Sequence, residues 1–495
     1  MNQLTLSPGL VLMALLLYFG LLLGLGYWTG RKAGDQAYFL GNRQSLWYLV
    51  ALGMLSDSMS GVSFISVPGA VLKANFGYLQ VVLGYVLGYV AIAYWLLPLY
   101  YKHNLTSIYT YLEGRFGLSA QRTGALFFVI SRLLGAAGRL YLTAAILQTF
   151  LFGPWGIPFG VSVSLIIALI LLYTFKGGIS TLVLTDAVQS TFLIGGLSVC
   201  IYALYQGLPL DLREQGFWHL VGSSPHSTWF NADPWSKSYF WKHFLGGAAI
   251  CLAMTGLDQN MMQKNLSCRS LRDAQKNLLA TAAVVLLVNV FFLSLGVLMI
   301  EFLSASGDAL LPQALSGEAG TDSFFPHIAL TKLGPVAGLS FILGLAAATF
   351  SSADSVLTTL TTSTYFDLWN LDARQDLSEE QKRRYRQCLH LGFAVALWAC
   401  IMGFKAFNQQ ALIDTVLDLA NYTYGPLLGL FFVGMFTSWK PGSKALVVAC
   451  MLSPLLIYGL KQWPFERYQF GFELLIINGA LTALMLGLAA RLRRA

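Results

Sequence analysis

The run Ser351-Ser352-Ala353-Asp354-Ser355 follows Ala346-Ala347-Ala348-Thr349-Phe350, with a carboxylate set among hydroxyls. Ser351 and Ser355 are four apart, so on a helix they share a face with Ser352 beside them. Hard oxygens gathered in this way suit a small hard cation. Ser56-Asp57-Ser58-Met59-Ser60-Gly61-Val62-Ser63 has the same character. Thr185-Asp186, Arg132, Arg139, Asp414 and Asp418 are further charged groups in apolar surroundings. Arg132 and Arg139, seven apart and hence on one face, would anchor an anion, pair with Asp418 or snorkel to an interface. Each group also has a plainer reading. Ser and Thr in membrane helices bond back to the carbonyl four residues earlier, or join neighbouring helices. Asp186 could partner a hydroxyl or a helix end, and Asp57 could hydrogen-bond an interrupted backbone. The serine run with Asp354 inside it fits the plain reading least well.

The elements that hold these residues are apolar helices. The chain has 495 residues, 56% hydrophobic and 11% charged, against about 25% charged in an ordinary soluble chain. Leu10 to Trp28 contains no charge and is long enough to cross a bilayer. Thirteen spans are predicted, at 9–29, 46–72, 78–101, 124–152, 155–175, 181–205, 240–263, 278–304, 334–363, 387–404, 411–437, 443–461 and 471–490. Charged groups at the centre of such spans cost about 2.5–3.5 kcal/mol each and mark function by default. The second span carries Gly53, Gly61 and Pro68-Gly69; the seventh carries Gly246-Gly247 and Thr255-Gly256-Leu257-Asp258. Both patterns predict interrupted helices, whose freed carbonyls are tolerated only where they line a cavity or bind an ion. A pair of such spans points to an inverted-repeat carrier with a site at mid-membrane depth.

Lys and Arg set the orientation. With the N-terminus outside, 21 of the 31 basic residues, Lys264 among them, fall in cytoplasmic segments; eight, Lys242 among them, fall outside. The net charge of +8 therefore reflects topology rather than nucleic-acid binding. The N-terminus lacks the features of a cleavable signal, so the first apolar run is expected in the mature protein. The cysteines are far apart and the histidines scattered, without metal or catalytic spacing, which argues against a membrane enzyme. Polar residues concentrated at mid-depth argue against a continuous channel. Connections 206–239 and 305–333 are long enough to form outer lids.

Landmarks along nearly the whole chain resemble the solute:sodium symporter family. They are Asp35-Gln36-Ala37-Tyr38-Phe39-Leu40-Gly41-Asn42-Arg43, Ser56 to Gly61 with Pro68-Gly69-Ala70, and Tyr111-Leu112-Glu113-Gly114-Arg115-Phe116. Tyr173-Thr174-Phe175-Lys176-Gly177-Gly178-Ile179 before Thr185-Asp186 follows. After it come Asp258-Gln259 through Gln263-Lys264 with Ser270-Leu271-Arg272-Asp273-Ala274, and Ala346 to Ser355 before Asp367-Leu368-Trp369.

The resemblance implies an all-α polytopic membrane protein of about thirteen helices with a leucine-transporter-type 5+5 inverted repeat. The first repeat would span 46–205 and the second 240–437, with peripheral helices in 1–45 and 438–495. It implies a sodium site made by the backbone carbonyls of Ser56, Met59 and Ala348 and the hydroxyls of Ser351 and Ser352. A second sodium site, seen in the sialic acid carriers, would map to Asp186, Ser351, Asp354 and Ser355. Asp354 stands where those carriers have serine, so it would strengthen that site or carry a proton. The proline carriers place an Asp at the position of Ser58; here it is Asp57, about 100° round the helix, so proline specificity does not carry over. Asp57, Ser58, Ser60, Arg139 and Asp418 are the candidates for solute contact. The expected activity is sodium-coupled import of a small polar or anionic solute across the inner (plasma) membrane by alternating access. A proton-coupled carrier of the same fold is the alternative. The partners would be solute, sodium ion and lipid, with no nucleic acid.

Overall fold

The computed structural model describes residues 6–30, 35–316, 320–407, 412–463 and 468–493, of which 30, 35–37, 175–177, 407 and 412–418 are described as backbone only. Ten helices among the described residues are long and apolar enough to cross a membrane. The elements named below are α1 (Pro8–Gly30), α2 (Trp47–Ser58), α3 (Gly61–Ala74), α4 (Tyr78–Ala91), α5 (Leu118–Leu147) and α6 (Phe159–Gln206). They continue with α7 (Phe240–Cys251), α8 (Gln259–Leu266), α9 (Leu271–Ser306), α10 (Gly334–Ser363), α11 (Glu379–Phe407), α12 (Leu412–Phe436), α13 (Ser443–Gln462) and α14 (Glu473–Leu492).

The two interruptions read from glycine and polar residues are present. The second predicted span divides between α2 and α3. Met59 (φ −100°, ψ 78°) leaves the helix and Ser60 is extended, its hydroxyl accepting from Ser63 N–H at 3.4 Å to cap α3. The seventh divides between α7 and α8. A wide turn at Leu252–Gly256 ends α7, and Asp258, extended, caps α8 by accepting from Met261 N–H at 3.2 Å. Each restart thus supplies its own side-chain cap, as a helix end away from water requires.

The fifth and sixth predicted spans meet inside α6, where Gly178 takes φ 52°, ψ −143°. A side chain there would be strained, and its Cβ would fall 2.3 Å from the Tyr38 carbonyl. The α6 helix packs against α1, α2 and α10, while α10 touches both halves of the broken helix. That contact is close because residue 61 is glycine: a Cβ there would sit 1.9 Å from Thr349 Oγ1.

Two of the basic residues counted for topology are buried. Lys264, assigned to a cytoplasmic segment, lies in α8 with its side chain 0% exposed. Lys242, assigned outside, is buried in α7 and donates to the carbonyls of Ser236 and Gln469, both at 3.1 Å. The Lys264 charge thus belongs to a buried network, whereas Lys242 ties α7 to loop carbonyls.

Of the expected lids, connection 206–239 docks onto the start of α4. Phe76 N–H donates to Thr228 O (3.1 Å) and Gln80 Nε2 to Ser238 O (3.2 Å). In 305–333, Asp308 is paired with Lys332 at 2.8 Å.

Gly178→Ala is expected to lower the melting temperature of the detergent-purified protein by several degrees, since overpacking and backbone strain each cost about 1–3 kcal/mol. Gly195→Ala, in the same helix but with open space around the new methyl, is expected to leave it unchanged or slightly higher.

Candidate ion and solute site

The break between α2 and α3 opens on a cavity of about 810 Å³, part of it open to solvent. One wall is Asp57, Ser58, Met59, Ser60 and Ser63 at the break, and a second is Tyr78, Tyr85 and Tyr89 on α4. Arg132 and Arg139 come from α5, and Met254, Thr255 and Met261 from the interrupted α7–α8 helix. A smaller cavity of about 230 Å³ shares both arginines and Met254, and reaches Tyr424 on α12.

The two arginines have different surroundings. Arg132 is buried; its Nε donates to Asp258 Oδ2 and its Nη2 to Met254 O at 2.9 Å. Tyr424 donates to the same Asp258 oxygen at 2.6 Å. Asp258 therefore caps α8 with one oxygen and binds α5 and α12 with the other. Pairing with Asp418, one of the options read from the sequence for these arginines, lies outside the described residues. Arg139 lines both cavities and has no ion-pair partner among the described residues. The side chains of Asp414 and Asp418 lie outside the described residues, and with them the expected solute role of Asp418.

Carboxylates gather on the other side of the break. Lys264 Nζ donates to Asp57 Oδ2 and, at 2.5 Å, to Asp186 Oδ2, with all three side chains at most 1% exposed. The Ser355 hydroxyl lies between Asp186 Oδ2 (3.4 Å) and Asp354 Oδ1 (3.2 Å), and Tyr173 donates to Asp354 Oδ2 at 2.7 Å. Asp57 Oδ1 and Asp186 Oδ1 are buried without a hydrogen-bond partner.

The α2 helix is already opened one turn before its end. The Ser190 hydroxyl accepts from Ser56 N–H at 3.1 Å and donates to Leu52 O, inserting between residues that would otherwise pair along the helix. Ser56 Oγ donates to Gly53 O at 2.9 Å and reaches Asp186 O at 3.4 Å. On α10 the hydroxyls of Ser352, Thr358, Thr359, Thr361 and Thr362 all bond back to the carbonyl four residues earlier. Ser351 does not: its hydroxyl is buried and has no partner. Bonding back to the helix thus accounts for its neighbours but not for Ser351.

The structure therefore brings Ser56, Met59, Asp186, Asp354, Ser355 and the Asp57–Ser60 segment to one interrupted helix and the helices packed on it. Ser58 shares a contact with Tyr89 at 3.1 Å. Sequence reasoning missed Tyr173, Ser190 and Asp258 as members of the network, and misplaced Lys264. The available signal for Lys264 was its neighbours: it follows the predicted break closely, between Met261-Met262 and Leu266.

An all-helical polytopic membrane protein with two interrupted helices around a charged internal cavity is a carrier by architecture. The sequence model of the sodium:solute symporter family matches residues 38–447. A putative sodium-dependent multivitamin transporter of Drosophila melanogaster is 25% identical over 454 residues, covering 89% of this chain and 72% of that one. The sodium/sialic acid symporter NanT of Aliivibrio fischeri is 25% identical over 496 residues, covering 95% and 92%. A solved structure of a Na+-coupled sialic acid symporter in a substrate-bound outward-open state superposes with a TM-score of 0.81 at 20% identity, covering 97% of this chain and 98% of that one; it is similar in fold. The chain belongs to the sodium:solute symporter family. It is a multi-pass membrane protein and a sodium-coupled symporter, not an enzyme.

Asp258→Asn is expected to destabilise the protein by about 3–5 kcal/mol, because it leaves Arg132 buried without its counter-charge. Tyr424→Phe removes one hydrogen bond to that carboxylate and should cost about 1.5–3 kcal/mol. Thermal unfolding of the purified variants measures both.

Proposed function

We propose that this carrier imports a small acidic or polar solute together with sodium across the plasma membrane, with its N-terminus outside and its C-terminus in the cytoplasm. The chain would cross thirteen times, with repeats at 46–205 and 240–437 related by inversion. One sodium would bind where α10 meets the α2–α3 break, held by the carbonyls of Ser56, Met59 and Ala348 and the hydroxyls of Ser351 and Ser352. A second would bind between Asp186, Asp354, Ser351 and Ser355. The observation that carries this reading is the buried Ser351 hydroxyl without a partner, on a helix where Ser352, Thr358, Thr359, Thr361 and Thr362 bond back to their own backbone and Thr349 and Ser355 bond to other side chains.

Solute would occupy the adjoining cavity, touching Ser58, Ser60 and Asp57 on one side and Arg139 on the other. A guanidinium that lines the cavity and has no ion-pair partner among the described residues is suited to recognise carboxylate by bidentate hydrogen bonding. The sialic acid symporters among the relatives agree with an acidic cargo. Sodium enters with the membrane potential, worth about 2.3 kcal/mol per charge per 100 mV. By joining α10 to the broken helix it would favour the outward state that receives solute. Coupling then needs only that sodium and solute each bind one state more tightly than the other. The segment after α4 supplies an inner seal. Tyr101 and Tyr109 donate to the carbonyls of Asn265 (3.0 Å) and Leu257 (3.1 Å), and Gln259 Nε2 to Thr106 O (2.9 Å).

Titrating the purified protein with sodium, potassium or choline chloride at matched ionic strength should give a sodium-selective rise in melting temperature. That rise should be lost in Ser351→Ala and kept in Ser198→Ala, an exposed serine bonded to its own helix. A wild type that responds equally to all three salts would defeat the reading. In proteoliposomes, Arg139→Gln is expected to cut sodium-driven uptake of N-acetylneuraminic acid, or of whichever carboxylate a substrate panel identifies, by at least about tenfold. Uptake of a neutral solute that is indifferent to Arg139 would remove the acidic assignment while leaving sodium coupling in place.

A further inference from the structure

The Lys264 ammonium lies between two regions that the proposed function keeps separate. Asp57, which it holds on one side, lines the solute cavity; Asp186, which it holds on the other, shares Ser355 with Asp354. All the groups are buried, so the ammonium and both carboxylates interact at short range with weak screening. Asp186 is moreover packed closely from behind: a Cβ on Gly53 would fall 3.2 Å from Asp186 Cβ, and Ser56 Oγ lies 3.4 Å from the Asp186 backbone carbonyl. The remaining oxygens, Asp57 Oδ1 and Asp186 Oδ1, have no partner.

We infer that Lys264 is an internal competitor of sodium at Asp186, and that Asp57 sets the strength of the competition by drawing the ammonium away. The inference rests on the assignment of Asp186 to an ion site. Two cations on one carboxylate repel, and within a buried site that repulsion is weakly screened. A sodium ion ligated by Asp186 therefore binds more tightly the further the ammonium moves toward Asp57. When it does so, the negative charge of Asp57 facing the cavity is neutralised. An acidic solute, held by Arg139, then meets less repulsion from the opposite wall. Sodium at Asp186 and an anion in the cavity favour the same position of Lys264, which is positive linkage between the two sites. Lys264 touches neither ligand in this scheme; it is a positioning residue.

The competition has a sign that a purely structural salt bridge lacks. Asp57→Asn leaves the ammonium to Asp186 alone, so sodium affinity should fall, by about tenfold. Lys264→Met removes the competitor, so sodium affinity should rise by at least about the same factor. In the double variant Asp57→Asn/Lys264→Met the loss caused by Asp57→Asn should disappear, leaving sodium bound more tightly than in the wild type. The double variant leaves one buried carboxylate, Asp186, without the ammonium where Lys264→Met leaves two, so it is the better tolerated of the two variants and the one to measure where Lys264→Met does not fold.

The measurement is 22Na+ binding to the full-length purified protein, with no solute present and choline chloride holding ionic strength. Weakened binding in Asp57→Asn with tight binding in the double variant supports the inference. Unchanged or tighter binding in Asp57→Asn overturns it. Weak binding in both identifies Asp57 as a ligand of sodium and overturns it as well. A wild type that binds no sodium overturns the assignment of the ion site itself, an outcome distinct from the other two.

Discussion

Within a bilayer every peptide group must find its hydrogen bond inside the protein, and the rest of this structure follows from where that rule is relaxed. Two helices are interrupted, after Ser58 and after Gly256, and each interruption is tolerated because polar side chains stand in for the missing turns. Ser60 and Asp258 cap the new helices, while Ser190 enters the α2 backbone from α6. These substitutions are also what make the region usable. A continuous helix offers an ion no carbonyls, whereas an interrupted one turns several inward at fixed positions.

The interruptions also explain why the buried charges are where they are. An isolated charge in this environment would be too costly, and the ion pairs here join different elements. Lys264 on α8 reaches Asp57 on α2 and Asp186 on α6; Arg132 on α5 reaches Asp258 at the start of α8. At an effective dielectric near 20, two unit charges 4 Å apart attract by about 4 kcal/mol, enough to hold a short helix that has no intact span of its own. The eight residues of α8 are thus pinned at their first turn to α5 and α12 and in their last turns to α2 and α6. Whatever moves α8 must rearrange both networks together.

Much of this was legible in the sequence. Gly53, Gly61 and the Thr255–Asp258 segment announced both breaks, because glycine and polar residues weaken the middle of an apolar helix. The Ser351–Ser355 cluster marked, through simple four-residue spacing, a helix whose Ser351 hydroxyl is buried without a partner. Lys264 was not legible as an internal charge, since a lysine after an apolar run ordinarily marks a membrane boundary, and only the break before it shows that the helix resumes beyond. Tyr173 and Ser190 were hidden for another reason. A lone tyrosine or serine in a span is common, and only the packing of α6 on α2 and α10 gives these two their roles. The extent of the α6 run was likewise invisible, because the kink at Gly178 depends on the Tyr38 backbone, from a distant part of the chain.

The distribution of charge around the cavity gives the fold a direction as well as a shape. On the side of α6 and α10, Asp57, Asp186 and Asp354 face a single ammonium; on the side of α5, Arg132 and Arg139 face the single carboxylate of Asp258 among the described residues. Among the described residues, one wall is thus short of positive charge and the other short of negative charge. A cation on the first wall and an anion on the second relieve both, with no net charge added beyond that of the ions themselves. Two sites in deficit of opposite sign, joined by an ammonium that can lean toward either carboxylate, are what a symporter needs for each cargo to improve the binding of the other.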